Sequence, residues 1–266
     1  MANGMVSVDP VVRALTGRDL LADRYPRILM YHSVGVPEGY DSVAPEVLSD
    51  HFAWLRDHYT VVPLEAIQSN ADDPKRVAVT VDDGLASFGE SILPCCRRYE
   101  IPVTVFVPTI AVSPAPGIDA QSVCRERMET PEQFMTVDQL RSIAADPLVT
   151  IGAHTWTHRS LANCINEETL HFEIVEAADE LASVLDVSID QFAYPYNDWG
   201  EAAHAFVTDR FSQAVHGRGR QSLITPFTSP HRLPRMSAAH SPSRLALAVH
   251  DISTLYYLGA TTLGGE

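Results

Sequence analysis

The chain has 266 residues and a formal charge of −15 at pH 7, from 19 lysine and arginine residues against 34 aspartate and glutamate residues. This acidic balance argues against a nucleic-acid-binding or anionic-membrane surface. With 45% hydrophobic and 20% charged residues, the composition excludes a disordered chain. The length suits one large α/β barrel domain or two small domains.

Residues 1–25 are expected to form an extension that precedes a domain at 26–266. Residues 1–10 lack the basic and continuous apolar segments of a signal peptide, and the chain has no run of about 18 apolar residues that would predict a transmembrane helix. The sequence therefore predicts a cytoplasmic protein without a membrane span. The four cysteines show no C-x-x-C spacing and are expected to be reduced thiols that pack in the interior.

Short apolar runs predict six strands, at 27–31, 77–81, 103–107, 149–152, 191–194 and 212–215. Apolar residues at helical spacing predict helices at 45–57, 86–99, 137–145, 166–185 and 243–258. On the helix at 166–185, the acidic residues beside the apolar stripe are expected to be solvated, Glu173 among them. The alternation of strands and helices predicts βα units around a parallel sheet.

Polar side chains that could carry chemistry directly follow four of these strands. They are His32, the pair Asp82 and Asp83, the pair His154 and His158, and Pro195-Tyr196. The carboxyl ends of several parallel strands converge only around the mouth of a barrel, whereas an open sheet gathers only the strands near its switch point. The pattern therefore predicts a (β/α) barrel with the functional site at its mouth.

Asp82 and Asp83 form a pair of adjacent carboxylates at the end of a hydrophobic strand. Two such charges repel each other unless a cation or a proton relieves them. The alternative is a structural role, in which Asp83 caps a helix that starts near Leu85.

His154 and His158 have the spacing H-x-x-x-H. In a helix this spacing would place both imidazoles on one face, where they could bind one ion of the Zn²⁺ type. Thr155 stands where H-E-x-x-H peptidases carry a glutamate, so that class is excluded. The alternative is a chance pair among 11 histidines. With an aspartate from another strand, the pair predicts a three-ligand metal site with a position left for water.

Three segments of the chain resemble motifs of the polysaccharide deacetylases (NodB homology, carbohydrate esterase family 4). Val77–Gly84 is similar to the T-F-D-D-G motif, 151–158 to H-[ST]-x-x-H, and 192–196 to the F-A-Y-P-Y-G version of the third motif. Leu29-Met30-Tyr31-His32 resembles the amino-terminal strand of members that act on poly-β-1,6-N-acetylglucosamine. The resemblance covers residues 26–240.

This resemblance implies a distorted (β/α) barrel in a single domain and a divalent metal, usually zinc and sometimes cobalt or nickel. It also implies hydrolysis of N-acetyl or O-acetyl groups, so the expected partner is an N-acetylated sugar or glycan. By position, Asp83, His154 and His158 would bind the metal. Asp82 would be the general base, and the backbone N–H of Tyr196 would stabilise the oxyanion.

Two further roles depend on how far this chain departs from the family pattern. The general acid is His32 or His250, and His32 is favoured because His250 falls off the apolar stripe of the helix expected at 243–258. Ala193 stands where many members carry an arginine that orients the base. Arg235 is the candidate replacement, and the alternative for it is a surface arginine at a strand end.

Two other functions compete with deacetylation. One is hydrolysis of another C–N bond, in a cyclic imide or ureide, on the same barrel. The other is a catalytically silent sugar-binding barrel, which the missing arginine at position 193 favours.

Residues 109–134 are expected to overhang the mouth, where loops determine specificity. Trp156 and Trp199 either stack on a sugar ring or pack in the core.

Overall fold

The computed structural model describes residues 25–37, 39, 41–69, 73, 75–217 and 224–238. The amino-terminal extension up to residue 24 and the helix expected at 243–258, with His250, lie outside the described residues. In the part of the chain that is described, no helix is long and apolar enough to span a bilayer.

The described residues form eight parallel strands. They are β1 (Arg27–Tyr31), β2 (Thr60–Val61), β3 (Arg76–Val81), β4 (Val103–Val107), β5 (Val149–Ala153), β6 (Gln191–Ala193), β7 (Gln213–Gly217) and β8 (Leu233–Ser237). The order is β1-β8-β7-β6-β5-β4-β3, and pairing of β1 with β3 closes these seven strands into a barrel. The short β2 pairs with the first two residues of β3. The predicted barrel is confirmed, and the six predicted strands agree with the structure to within two residues.

Besides the 3₁₀ turns Leu64–Ala66, Thr109–Ala111 and Pro195–Asn197, six helical segments connect the strands in the described residues. They are α1 (Pro45–His58), α2 (the π-helical turn Phe88–Ile92 followed by Leu93–Tyr99), α3 (Ala120–Ser122 and the π-helical turn Val123–Arg127), α4 (Val137–Ala144), α5 (Glu167–Leu170, the π-helical turn His171–Glu176 and Ala177–Leu185) and α6 (Glu201–Arg210). The predictions of α1, α2, α4 and α5 are confirmed. The sequence did not reveal α3 and α6.

The strands bury both faces, because side chains alternate between the barrel interior and the layer beneath the helices. One cluster contains Ile28, Ala78 and Phe106, and a second, larger cluster contains their neighbours along the strands. All four cysteines are free, and Cys96 and Cys124 are buried, as expected for thiols that pack in the interior. The two-sided burial explains why the strands are continuous apolar runs in the sequence.

Several residues that follow the strand ends have positive φ angles although they are not glycine. They are Asp83 (76°), Thr155 (62°), His158 (51°), Tyr196 (57°) and Asn197 (58°). Such conformations cost roughly 1–3 kcal/mol each and persist only where the surrounding structure holds them. The strained backbone therefore concentrates at the carboxyl ends of the barrel strands.

Candidate metal and catalytic site

A cavity of about 140 Å³ opens at the carboxyl ends of the barrel strands. Its lining residues are His32, Asp82, Asp83, Arg127, Met128, Glu129, His154, His158, Tyr196 and Asn197. The mouth thus brings together polar residues that lie up to 165 positions apart in the sequence. The connection at 109–134 contributes Arg127, Met128 and Glu129, as expected for a segment that overhangs the mouth.

Asp83, His154 and His158 converge on one point of this cavity. Nε2 of His154 lies 3.6 Å from Oδ1 of Asp83, and Nε2 of His158 lies 3.3 Å from the same oxygen. One potential ligand atom from each of the three residues lies within 4.8 Å of the other two, and all three residues are buried. The predicted three-residue cluster is therefore present in the fold.

The cluster fits a divalent cation by its donor atoms. Oδ1 of Asp83 is buried and accepts no hydrogen bond from the described residues. A buried carboxylate oxygen without a partner is costly, and a cation between it and the two imidazoles would relieve that cost. One carboxylate and two imidazoles are ligands typical of zinc and leave a coordination position open.

The two histidines reach this point from a loop and not from a helix. Residues 154–158 form an irregular loop, so the spacing H-x-x-x-H does not place the two imidazoles on one face of a helix. His154 directly follows β5, and its Nδ1 donates a hydrogen bond of 2.7 Å to the carbonyl oxygen of Ala193. This bond leaves Nε2 as the nitrogen that faces Asp83. His158 has a positive φ of 51°, and its ring lies 4.8 Å, between centroids, from the ring of His154.

The ionisation states favour metal ligation. Burial raises the pKa of Asp83, but the imidazole of His158 and the other nearby histidines lower it by more, and the carboxyl group stays ionised. Burial lowers the pKa of His154 to about 4, although Asp82 and Asp83 act in the opposite direction. At neutral pH the cluster therefore offers a carboxylate and, on His154, a neutral imidazole.

Asp82 forms a bidentate ion pair with Arg235. The guanidinium nitrogens lie 2.6 and 2.7 Å from the two carboxylate oxygens, and Arg235 is 1% exposed. Arg235 also donates to Oγ1 of Thr80 at 3.2 Å and to Oδ1 of Asn197 at 3.3 Å. The interpretation of Arg235 as a surface arginine is therefore wrong.

The same arginine determines the charge of Asp82. Burial raises the pKa of Asp82, but the guanidinium of Arg235, followed by His154, lowers it by more. The result is a pKa below its usual value, so the carboxyl group is ionised at neutral pH.

His32 lies beside Asp82 at the end of β1. Its Nε2 is 3.9 Å from Oδ2 of Asp82, and its Nδ1 is 3.9 Å from Oδ2 of Asp41. Asp41 in turn accepts a hydrogen bond of 3.0 Å from the hydroxyl of Ser237. His32 therefore lines the mouth between the carboxylates of Asp82 and Asp41. Because His250 lies outside the described residues, the preference for His32 as general acid stays a prediction.

Tyr196 covers one side of the mouth. Its ring is half exposed and lies 4.9 Å, between centroids, from the ring of His158. Its hydroxyl donates a hydrogen bond of 2.9 Å to the carbonyl oxygen of Arg127. The side chain of Arg127 donates to the carbonyl oxygen of Thr157 and, at 2.9 Å, to its hydroxyl. These contacts tie together the loops that follow β4, β5 and β6.

The two tryptophans near the motifs pack away from the cavity. Trp156 stacks on Phe172 with 4.5 Å between ring centroids. Trp199 lies beneath the guanidinium of Arg232 at 3.9 Å and packs against the larger apolar cluster. Of the two roles considered for these residues, the structure favours packing.

Glu173 on α5 is buried rather than solvated, which corrects the expectation from the sequence. It is 1% exposed and accepts hydrogen bonds from the backbone N–H groups of Trp156 and Thr157. Glu173 lies three residues after Leu170 and four before Ala177, two residues of the apolar stripe. Helical spacing therefore placed it at the edge of the buried face, and this was the signal that the sequence contained.

The fold and the site define a parallel barrel with a candidate metal centre beside an ionised carboxylate, as in metal-dependent hydrolases. The sequence profile described as "Polysaccharide deacetylase" matches residues 69–209, a little over half of the chain. The chain belongs to the polysaccharide deacetylase family. The family resemblance of the three motifs is thereby confirmed.

A curated relative and two solved structures are similar to this chain. The poly-beta-1,6-N-acetyl-D-glucosamine N-deacetylase of Escherichia coli is 30% identical over 137 residues, which cover 48% of this chain and 20% of that protein. The match thus spans only a fifth of the relative. IcaB from Ammonifex degensii has a TM-score of 0.69 at 19% identity and covers 85% of this chain and 97% of that chain. A polysaccharide deacetylase from Bacillus cereus has a TM-score of 0.69 at 15% identity, and the match covers 85% of this chain and 69% of that chain. At these identities, the two structures show a shared fold.

Proposed function

We propose that this chain is a metal-dependent deacetylase that removes acetyl groups from an N-acetylated sugar or glycan. The observation that carries the proposal is the convergence of Asp83, His154 and His158 on one point, next to the ion pair of Asp82 and Arg235. A ligand cluster beside an ionised base is the arrangement that hydrolysis of an amide by activated water needs.

Asp83, His154 and His158 would hold a divalent cation, for which zinc is the first choice and cobalt and nickel are alternatives. When bound, the cation supplies Lewis acidity, which lowers the pKa of a water molecule and polarises the acetyl carbonyl. The hydrogen bond from His154 to Ala193 would fix the ring orientation that this ligation requires.

Asp82 would act as the general base. Arg235 keeps its carboxylate ionised and holds it in place, so that it can take a proton from the attacking water. The backbone N–H of Tyr196 would stabilise the negative charge on the acetyl oxygen. When the C–N bond breaks, His32 would donate a proton to the leaving amine nitrogen, which releases acetate and the free amino sugar.

Arg235 pairs with the proposed base Asp82 and can thus replace the arginine that this chain lacks at position 193. This weakens the argument for a silent sugar-binding barrel, which depended on the missing arginine. The Escherichia coli relative is named for poly-beta-1,6-N-acetyl-D-glucosamine. Oligomers of β-1,6-linked N-acetylglucosamine are therefore the first substrates to test.

The test is acetate release from these oligomers, after chelation and after addition of Zn²⁺ or Co²⁺. The wild type should release acetate only with metal. Asp82→Asn should keep the metal and lose turnover by at least about 100-fold. His154→Ala should lose turnover and bind the metal much more weakly, and Glu201→Gln, at an exposed pair with Arg232, should match the wild type.

Retained turnover in Asp82→Asn would exclude this residue as the base. A metal-loaded wild type that releases no acetate from any acetylated sugar would contradict deacetylation. Ring opening of a cyclic imide or ureide, assayed on the same preparation, would then identify the competing hydrolase.

A further inference from the structure

We propose that Glu173 is a positioning residue for the metal ligand His158. It would act through the backbone of the loop 154–158, and it would not touch the metal or the substrate. The inference rests on the proposed metal site. It concerns a residue in a helix that none of the three motifs includes.

The hydrogen bonds that the side chain of Glu173 accepts all come from the two residues just before His158. Oε2 accepts hydrogen bonds from the N–H of Trp156 at 3.0 Å and from the N–H of Thr157 at 2.9 Å. Oε1 accepts one of 2.7 Å from the hydroxyl of Thr157. A single buried carboxylate therefore binds three donors on two consecutive residues of the loop.

The loop needs such a partner because its backbone conformation is unfavourable by itself. Thr155 and His158, which flank the two bound residues, have φ angles of 62° and 51°. The carbonyl oxygens of Thr155 and Trp156 are bound from the other side by the N–H groups of Thr109 and Ile110, at 3.0 and 2.9 Å. Glu173 binds the N–H groups, so the loop is held between α5 and the turn after β4.

The charge of Glu173 matters as well as its shape. Hydrogen bonds to an ionised acceptor are roughly twice as strong as those between neutral groups. Both carboxylate oxygens are used, whereas the amide of a glutamine offers only one acceptor oxygen. Among the described residues, Glu173 pairs with one cation, Arg159, whose NH1 nitrogen lies 4.0 Å from Oε1 and whose side chain is about half exposed. The buried charge is therefore stabilised chiefly by the loop.

The two histidine ligands depend on Glu173 to different degrees. His154 follows β5 directly, and its ring is fixed independently by the bond to Ala193. His158 follows Thr157, the residue that Glu173 contacts most. The loss of the Glu173 carboxylate should therefore displace His158 and leave His154 in place.

Titration of the metal-free protein with Co²⁺, followed by its absorption spectrum, tests this inference. Glu173→Gln should bind Co²⁺ 10- to 100-fold more weakly than the wild type, the usual cost of removing an outer-shell partner. The control is Glu176→Gln, in the same π-helical turn, where an exposed carboxylate pairs with His171 at 3.0 Å. It should bind within twofold of the wild type.

A double-variant cycle identifies the ligand through which Glu173 acts. In a His158→Ala background, Glu173→Gln should weaken Co²⁺ binding by less than twofold further. In a His154→Ala background, Glu173→Gln should weaken Co²⁺ binding by the same 10- to 100-fold as in the wild type, because independent sites contribute additively. Glu173→Asp keeps the charge, should bind with intermediate affinity, and carries the test if the glutamine variant does not fold.

The outcomes separate this inference from the proposed function. A folded Glu173→Gln with wild-type Co²⁺ affinity would leave Glu173 a purely structural role and overturn the inference, whatever the activity. Wild-type protein that binds no Co²⁺ would overturn the metal site itself. At saturating Co²⁺, Glu173→Gln should regain acetate release that Asp82→Asn never regains.

Discussion

Asp82 is buried as a charged group, and Arg235 is the side chain that contributes most to stabilising its ionised form. Both of its oxygens face the guanidinium of Arg235. Removal of one partner of a buried ion pair leaves an uncompensated charge, which costs about 3–5 kcal/mol. Arg235→Leu should therefore lower the free energy of unfolding of the metal-free protein by about this amount, measured in urea at pH 7.

The double variant Asp82→Asn/Arg235→Leu is the control for this prediction. It removes both charges, so it should recover part of the stability that Arg235→Leu loses. A double variant that is less stable than the single variant would contradict the assignment of the loss to the unpaired carboxylate.

The side chain of Asn197 packs against the backbone of Gly217, where any larger residue would displace it. A Cβ atom at Gly217 would lie 2.4 Å from Cγ of Asn197, which is too close for both to remain. Gly217→Ala should push Asn197 away from Arg235 and lower the free energy of unfolding by about 1–3 kcal/mol, as overpacking does. Urea unfolding measures the change.

The compensating variant is Asn197→Gly. It removes the opposing side chain, and glycine adopts the positive φ of position 197 without strain. Gly217→Ala should therefore cost much less in the Asn197→Gly background than in the wild type. Equal costs in the two backgrounds would show that the clash with Asn197 is not the cause.

The residues at the mouth were predictable where the sequence places them at a strand end or within a recognisable motif. Asp82, Asp83 and His32 each directly follow a strand, and this position alone brought them to the site. Arg235 lies 153 residues from Asp82, and its pairing depends on closure of the barrel. Local patterns contain no information on that closure, so the choice between an ion pair and a surface arginine could not be made.

Among the elements, those with a strong hydrophobic pattern were predicted well and those without one were missed. Strands β3 and β4 are apolar along their length because both faces are buried. Strand β8 contains Pro234 and Arg235, which interrupt its apolar run. Helix α6 has almost no amphipathic period, so no stripe marked it. The spacing of His154 and His158 left the conformation of 154–158 open, because spacing alone does not reveal backbone conformation.

Asp146 links three elements, and its charge should make their stability depend on pH. It follows α4, accepts the N–H of Leu148 at 2.9 Å just before β5, and accepts Nε of Arg97 on α2 at 2.7 Å. The hydrogen bond from Leu148, together with Arg97, lowers the pKa of Asp146 below its ordinary value of 3.8. Because the folded state favours the carboxylate, its stabilising effect is present above pH 3.8 and disappears as the pH falls through the lower, folded-state pKa.

Asp146→Asn should therefore lower the free energy of unfolding by about 1 kcal/mol at pH 7. The difference from the wild type should shrink towards zero as the pH falls below 3.8. Urea unfolding across this range measures it, and Asp57→Asn, an exposed residue on α1, is the matched control. A difference that is constant with pH would show that the charge of Asp146 contributes nothing.

For the whole molecule, parallel closure of the barrel is what makes the site. Strands β1, β3, β5, β6 and β8 come from distant parts of the chain, yet each brings a residue to the same mouth or near it. All the strands run in one direction, so their carboxyl ends share one rim. The prediction of a common site followed from this geometry and needed no knowledge of the loops. The loops then decide the details that the sequence left open.

A cation in the cluster would connect β3, through Asp83, with the loop after β5, through His154 and His158. A ligand that binds only the folded state stabilises it by about 2.7 kcal/mol at 100 times its dissociation constant. In a protein of this size, each kcal/mol raises the melting temperature by about 2–4 °C. Saturating Zn²⁺ should therefore raise the melting temperature of the chelated wild type by about 5–10 °C.

The variants locate the origin of that shift. Asp82→Asn leaves the three proposed ligands in place and should keep the full Zn²⁺-dependent rise in melting temperature, while losing acetate release. His154→Ala removes one ligand and should lose most of the rise. If His154→Ala were stabilised as strongly as the wild type, Zn²⁺ would be bound elsewhere on this acidic chain. Thermal unfolding thus tests the metal site without a substrate, and it separates binding of the metal by Asp83, His154 and His158 from the chemistry assigned to Asp82.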